Sequence, residues 1–178
     1  MHQPDPAVSD YAVFSASQCF VQQFRNSYAI PFPLFYFIIA YQPEKVILPD
    51  YIKTKDYLLL ISRIHKQDCE KRIDELIKLF GLEAIINKDL IKLSKGMRQK
   101  VLLIQTLMME ADAYFFDEPL SGLDPLSQQI LVEEIIKLVS KDKLIIIVTH
   151  FIEQYRINNK KIVNLNNKED YQNVTTPS

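Results

Sequence analysis

The sequence Tyr114-Phe115-Phe116-Asp117-Glu118-Pro119 ends an apolar run on two adjacent carboxylates. If Ala113–Phe116 is a buried parallel strand, both acids fall at the carboxyl edge of a sheet, where open α/β proteins bind ligands. An Asp there can hold Mg²⁺ through water, and the next Glu can orient or deprotonate an attacking water. Two solvated acids at a strand end are the plain alternative. Upstream stands Leu93-Ser94-Lys95-Gly96-Met97-Arg98-Gln99. Ser94 as an N-cap, Lys95, and Gly96 in the first turn make an anion site. Free N–H groups and the positive helix end face outward, and Gly96 removes the Cβ that would block approach. An ordinary capped amphipathic helix has the same residues. Ser121-Gly122-Leu123-Asp124 reads as a turn with a helix cap. His150 follows the apolar run LIIIVT, as a loop residue or as a side chain reaching phosphate. Gln42 carries no meaning by itself, and His2, His65 and His150 form no metal-ligand pattern.

These side chains need strands and helices to carry them. Phe35–Tyr41 reads as a buried strand, with Pro31 and Pro33 barring its extension backwards. The whole apolar run 29–41 is too short to span a bilayer. A helix is expected within Tyr51–Lys66, starting near Thr54. A second is expected over Asp68–Phe80, where Cys69, Ile73, Leu76, Ile77 and Phe80 share a face. Gly81 suits its C-cap, and Asp74 with Lys78 forms an i,i+4 pair. Further helices are expected from Ser94 to about Glu110, and from Asp124-Pro125 through Val139. Ala113–Phe116 and Leu144–Thr149 read as strands covered on both faces, and Lys161–Leu165 as a final short strand. Strands alternating with helices indicate α/β with a parallel core, and the clustered helices of 51–92 an inserted helical lobe.

Composition narrows the function. The 178 residues include three glycines, Gly81, Gly96 and Gly122, where average usage would give roughly twelve. No two stand close enough for G-x-G, so neither a dinucleotide fingerprint nor a P-loop can be drawn from this sequence. A net charge of −1 provides no field for nucleic acid or an anionic membrane. Two cysteines, Cys19 and Cys69, make no disulfide framework and fit a reducing compartment. Residues 1–41 carry only Asp5, Asp10 and Arg25 as charges, and lysine first appears at Lys45. Residues 1–28 are rich in Gln and Ser, lack a sustained period, and are expected to be poorly ordered. They also lack the basic start and apolar run of a secretory signal.

In order, these pieces resemble the nucleotide-binding domain of ATP-binding cassette (ABC) proteins over roughly residues 36–166. Gln42 in YQPEK matches the Q-loop, LSKGM at 93–97 the signature motif, and YFFDEP at 114–119 the Walker B strand with its catalytic glutamate. SGLD at 121–124 resembles the D-loop, and Thr149-His150 the H-switch. The resemblance implies an α/β fold: a truncated P-loop NTPase-like core with a mostly parallel sheet and an inserted helical lobe at about 51–110. It implies Asp117 holding Mg²⁺ through water, Glu118 as general base, and His150 on the γ-phosphate. Gln42 would sense Mg²⁺ and the attacking water. Ser94, Lys95, Gly96 and Asp124 would form the nucleotide-binding set, with Ser94 and Gly96 on the γ-phosphate of the opposite subunit's ATP.

Two departures stand out. Lys95 and Met97 replace Gly and Gln of the idealised signature, a minor change. The Walker A loop, expected before the Q-loop, is missing: residues 1–35 hold neither glycine nor lysine. Losing three charge-assisted hydrogen bonds to phosphate removes on the order of 4 kcal/mol, about a thousandfold in affinity. The expectation is therefore a chain that does not hold ATP alone and takes Walker A from a second ABC ATPase subunit. It would sit at the cytoplasmic face of a membrane against a membrane-spanning permease, without nucleic acid. The alternative is a non-catalytic remnant or regulatory docking subunit. A soluble ABC ATPase of translation or repair would be expected to show tandem cassettes or coiled-coil insertions. Residues 1–34 are expected to be a non-family segment arising by truncation, frameshift or a misplaced start, 35–166 the partial ATPase domain, and 167–178 a polar tail.

Overall fold

The computed structural model describes residues 38–155 apart from 142 and 151, together with the backbone of 11–15 and 161–164. Helix boundaries follow local chemistry. Helix α1 is Thr54–Ile64 and α2 is Glu70–Leu79, ending where Gly81 adopts φ +67°. There Gly81 N–H donates to Lys78 O and Leu82 N–H to Ile77 O, satisfying carbonyls that the helix end would leave unpaired. Helix α3, Lys95–Leu107, is capped by Ser94, whose Oγ accepts the Met97 N–H at 3.3 Å. Helix α4, Pro125–Ser140, is capped by Asp124 with proline at the first helical position.

Helices α1 and α2 pack on α3, and α3 lies against the sheet, so α3 joins the helical lobe to the core. The lobe is tied down by polar contacts at its ends. Gln67 donates its Nε2 to Glu110 O and accepts the Glu110 N–H, each at 2.8 Å. Arg98 donates to Leu48 O and Leu90 O. The i,i+4 pair expected within α2 gives way to a tertiary one: Asp74 takes Lys55 of α1 at 2.9 Å. Arg72 of α2 meets the buried Glu134 of α4, which also holds Lys137 at 2.7 Å.

Five strands form one sheet: β1 (Tyr11–Ser15), β2 (Ile39–Gln42), β3 (Ala113–Asp117), β4 (Leu144–Thr149) and β5 (Lys161–Asn164), in the order β2-β3-β4-β1-β5. β2, β3 and β4 pair in parallel, whereas β1 pairs antiparallel with both β4 and β5. Four strands thus point one way, the mostly parallel α/β core expected. Strand β1 lies within the segment 1–28 that is expected to be poorly ordered, most of which falls outside the described residues. YAVFS is too short for a periodicity reading, and its partners lie far along the chain. The remainder of 1–37, Leu165 and the 167–178 tail fall outside the described residues.

Among the described residues the strands are covered on one face only, not on both as expected. Register aligns Ala40, Tyr114 and Ile145, and then Gln42, Phe116 and Ile147. All six are buried, in one cluster with α3 and α4 residues such as Leu103, Ile104, Leu131 and Ile135, apart from the polar Gln42, which is buried beside it. On the opposite face, Ile39 is 61% and Tyr41 49% exposed, and Phe115, Ile146 and Val148 are half-buried. Both core helices lie on one side, so among the described residues the other face has no helix. An apolar run without alternation cannot reveal which side is covered.

Candidate functional site

Parallel pairing brings three strand ends to one edge. Gln42 closes β2 beside Phe116, and Asp117 closes β3 beside Val148 of β4. Glu118 extends the ladder one step further, its N–H donating to Val148 O at 2.9 Å, and then turns with φ +45°. Few non-glycine residues adopt such a left-handed backbone. The turn sends the Glu118 carboxylate towards the end of β4. There Oε1 accepts the His150 backbone N–H at 2.8 Å, and the His150 Nε2 lies 3.5 Å from the same oxygen. The Glu118 side chain is 12% exposed, shielded but open to solvent on one side.

Gln42 is fully buried. Its Nε2 donates to Pro43 O at 2.7 Å, while Oε1 has no hydrogen-bond partner. A buried amide oxygen without a partner costs on the order of 1–3 kcal/mol unless a ligand, cation or water takes it. A carboxamide oxygen, like the carboxylates of Asp117 and Glu118 at the adjoining strand end, is a donor type that Mg²⁺ accepts. The residue types at this edge therefore fit Mg²⁺. Among the described residues, no cluster of three or more His, Cys, Asp or Glu suits a metal held by protein ligands only.

Tyr155 is a site neighbour the sequence did not flag. It is fully buried near Thr149 and Glu118; burial pushes its phenol well above the usual tyrosine range, and the Glu118 charge adds to the effect, with Thr149 acting in the other direction. No spacing rule marks a single Tyr in a polar stretch.

The second group gathers at the N-terminus of α3. Ser94 and Lys95 are exposed there. A Cβ on Gly96 would come within 3.3 Å of Gly122 O, so the glycine permits close approach of the 121–124 loop. This is a protein contact in addition to the ligand approach expected from sequence. Asp124 is used mainly as a cap: it accepts the Ser127 N–H at 3.0 Å and the Ser127 hydroxyl at 2.8 Å, and Lys100 Nζ stands 2.8 Å from Oδ2. The Lys100 ammonium, then the Ser127 donors, hold its carboxyl well below the usual carboxylate range. The structure thus joins Glu118 to His150 directly, aligns Gln42 and Asp117 with them at the edge, and assembles Gly96, Gly122, Lys100 and Asp124 separately. Lys100 was legible only as one more cation in GMRQK.

Comparison with known proteins agrees with this architecture. The family described as ABC transporter matches residues 34–121. The ABC transporter ATP-binding protein NatA of Bacillus subtilis is 34% identical over 110 residues, 60% of this chain and 45% of NatA. An ATP-binding subunit of an ABC transporter of known structure superposes with a TM-score of 0.63 at 26% identity, covering 79% of this chain and 64% of that one. A dimeric bacterial ABC transporter cassette has the same fold, at a TM-score of 0.59 and 21% identity over 70% of this chain and 62% of that one. The chain belongs to the ABC ATPase family. It spans about half the length of the curated relatives it matches.

Proposed function

We propose that the chain is an ATP-binding subunit of an ABC transporter, at the cytoplasmic side of a membrane-spanning permease and paired with a second ABC ATPase subunit. The observation that carries this reading is the gathering of Gln42, Asp117, Glu118 and His150 at the carboxyl edge of parallel strands. No helix among the described residues is long and apolar enough to cross a membrane, so in this reading the permease is a separate chain or segment. NatA, an ABC transporter ATP-binding protein, supports the transporter reading, and the dimeric cassette of the same fold supports the pairing.

In this reading Asp117 holds Mg²⁺ through water, and the Gln42 amide oxygen faces that water shell. Mg²⁺, when bound, neutralises charge developing on the transferred phosphoryl group. Glu118 acts as general base, accepting a proton from the attacking water onto its carboxylate. His150 fixes that carboxylate through its backbone N–H, and its imidazole reaches the γ-phosphate. Ser94, Lys95 and Gly96 face the γ-phosphate bound by the partner subunit, and Asp124 orders the adjoining loop.

Within this sequence no glycine-rich loop with lysine can cradle phosphate, because glycine stands only at 81, 96 and 122. That same feature favours the second reading, a non-catalytic or regulatory subunit docked on an ABC assembly. Isothermal titration of the purified chain with Mg-ATP tests the first point: no heat is expected below about millimolar ATP. Submillimolar binding overturns the requirement for a partner's loop. In a mixed assembly, hydrolysis that disappears with the partner's Walker A lysine supports the active reading. Turnover absent from every assembly, with no effect of Glu118→Gln, supports the regulatory one.

A further inference from the structure

We propose that Lys100 is a positioning residue that locks the first turn of α3 to the loop 119–124, holding Ser94–Gly96 in one fixed relation to the segment that follows Glu118. The importance of that relation for phosphate chemistry rests on the ATP-handling reading above; its existence does not.

Three observations converge on it. Lys100 sits one helical turn after Gly96, so its stem rises along the same side of α3. Its side chain is only 17% exposed, and Nζ lies 2.8 Å from Asp124 Oδ2 and 3.4 Å from Phe80 O. A single ammonium therefore touches the end of α2, the body of α3 and the cap of α4. One turn away, the Gly96 backbone approaches Gly122 O closely enough that a Cβ would sit 3.3 Å from it. The far side of the loop is held by Gln128, whose Nε2 lies 3.2 Å from Leu120 O and 3.3 Å from Leu123 O.

Charge and exposure indicate what this contact is for. Asp124 is 49% exposed, and ion pairs with one solvated partner contribute little to stability. A half-exposed pair that adds little stability still fixes geometry when the stem of its cation is buried. Glu118 opens the same loop, since its carbonyl accepts the Ser121 N–H at 3.1 Å. Rotation of α3 about its axis would therefore drag Gly122 and Asp124, and with them the backbone leaving Glu118. Without Lys100 the loop retains Gln128 and the Gly96–Gly122 packing but loses its ionic tie to α3.

The test is a distance measurement in the full chain. Nitroxides at Lys95→Cys and Ser121→Cys, in a Cys19→Ser, Cys69→Ala background, are compared through the dipolar broadening of continuous-wave electron-resonance spectra, which reads short distances, in otherwise wild-type chain, Lys100→Met and Lys100→Arg. A single narrow distribution is expected for the first, a width increased by about twofold or more in Lys100→Met, and recovery in Lys100→Arg. An unchanged width in Lys100→Met overturns the proposal. If Lys100→Met does not fold, Asp124→Asn, which keeps an N-cap and removes the charge, breaks the same contact and is read identically. In any assembly that hydrolyses ATP, Lys100→Met is expected to lower kcat by at least about tenfold with little change in KM for Mg-ATP, and Lys100→Arg to restore it. Where no assembly hydrolyses ATP, the ATP reading fails, and the distance distributions still decide the role of Lys100.

Discussion

Glu134→Gln isolates one of the polar contacts that tie the helical lobe to the core. Glu134 is 2% exposed on α4, with Lys137 one turn away and Arg72 reaching across from α2. Burial alone would raise its carboxyl pKa. The hydrogen bonds from Lys137 and Arg72, with their charges, outweigh burial and lower it below the ordinary value of 4.5. Hydrogen bonds to a charged group are worth about 1.5–3 kcal/mol when buried. Lys137 is 62% exposed and Arg72 36%, so solvent screening reduces both. An amide keeps the shape and one acceptor, which leaves a net loss of about 1.5–2 kcal/mol at pH 7, or roughly ten- to thirtyfold in the unfolding equilibrium. The sign of the pH dependence follows from the lowered folded pKa. The increment is complete above the ordinary, unfolded value and disappears as pH falls through the lowered folded value. Urea titrations followed by circular dichroism at pH 7, 5, 4 and 3 should show wild type and Glu134→Gln far apart at neutral pH and converging in acid. A gap of the same size at every pH, or none at pH 7, would refute the assignment of this carboxylate as ionised and doubly held.

Gly81→Ala should destabilise by about 1 kcal/mol, because φ +67° disfavours any Cβ although the space around it is open. Differential scanning calorimetry should show a fall of about 2–4 °C. Ile39→Lys places a charge on the exposed face of edge strand β2 and should change stability by less than about 0.5 kcal/mol. It should reduce self-association in light scattering at high concentration, since an apolar edge is a template for pairing.

Local signals made most of the fold legible. Ser94 and Asp124-Pro125 announced two helix starts, and Gly81 a helix end, because capping depends on residues within one turn. Strands ending at Asp117 and Thr149 were readable from apolar runs bounded by polar residues. What remained hidden depends on contacts distant in sequence. Strand β1 pairs with β4 across more than a hundred residues, Asp74 prefers Lys55 to its own helix, and Gly96 is small because Gly122 approaches it. At the site, Gln42, Asp117, Glu118 and His150 were nameable from motif order. The Glu118–His150 contact required the turn at φ +45°, and Tyr155 carried no signal in the sequence.

That turn makes one more prediction, in which the usual ranking of alanine over glycine reverses. Glu118 is held at φ +45° by its N–H bond to Val148 O on one side and by the Ser121 N–H on its carbonyl on the other. Neither bond involves its side chain, so the backbone should keep this conformation whatever residue occupies the position. Glu118→Ala and Glu118→Gly both lose the carboxylate that accepts the His150 N–H, and this loss cancels between them. Alanine keeps the left-handed strain, about 1–2 kcal/mol for a residue with a Cβ. Glycine removes it, while its freer unfolded chain costs about 0.4–1 kcal/mol. Glu118→Gly should therefore be more stable than Glu118→Ala by about 0.5–1 kcal/mol in urea denaturation. The ordinary order, with alanine ahead, would mean that the turn relaxes once the carboxylate is gone. The His150 contact, rather than the strand ladder, would then be what holds the backbone at this strand end in place.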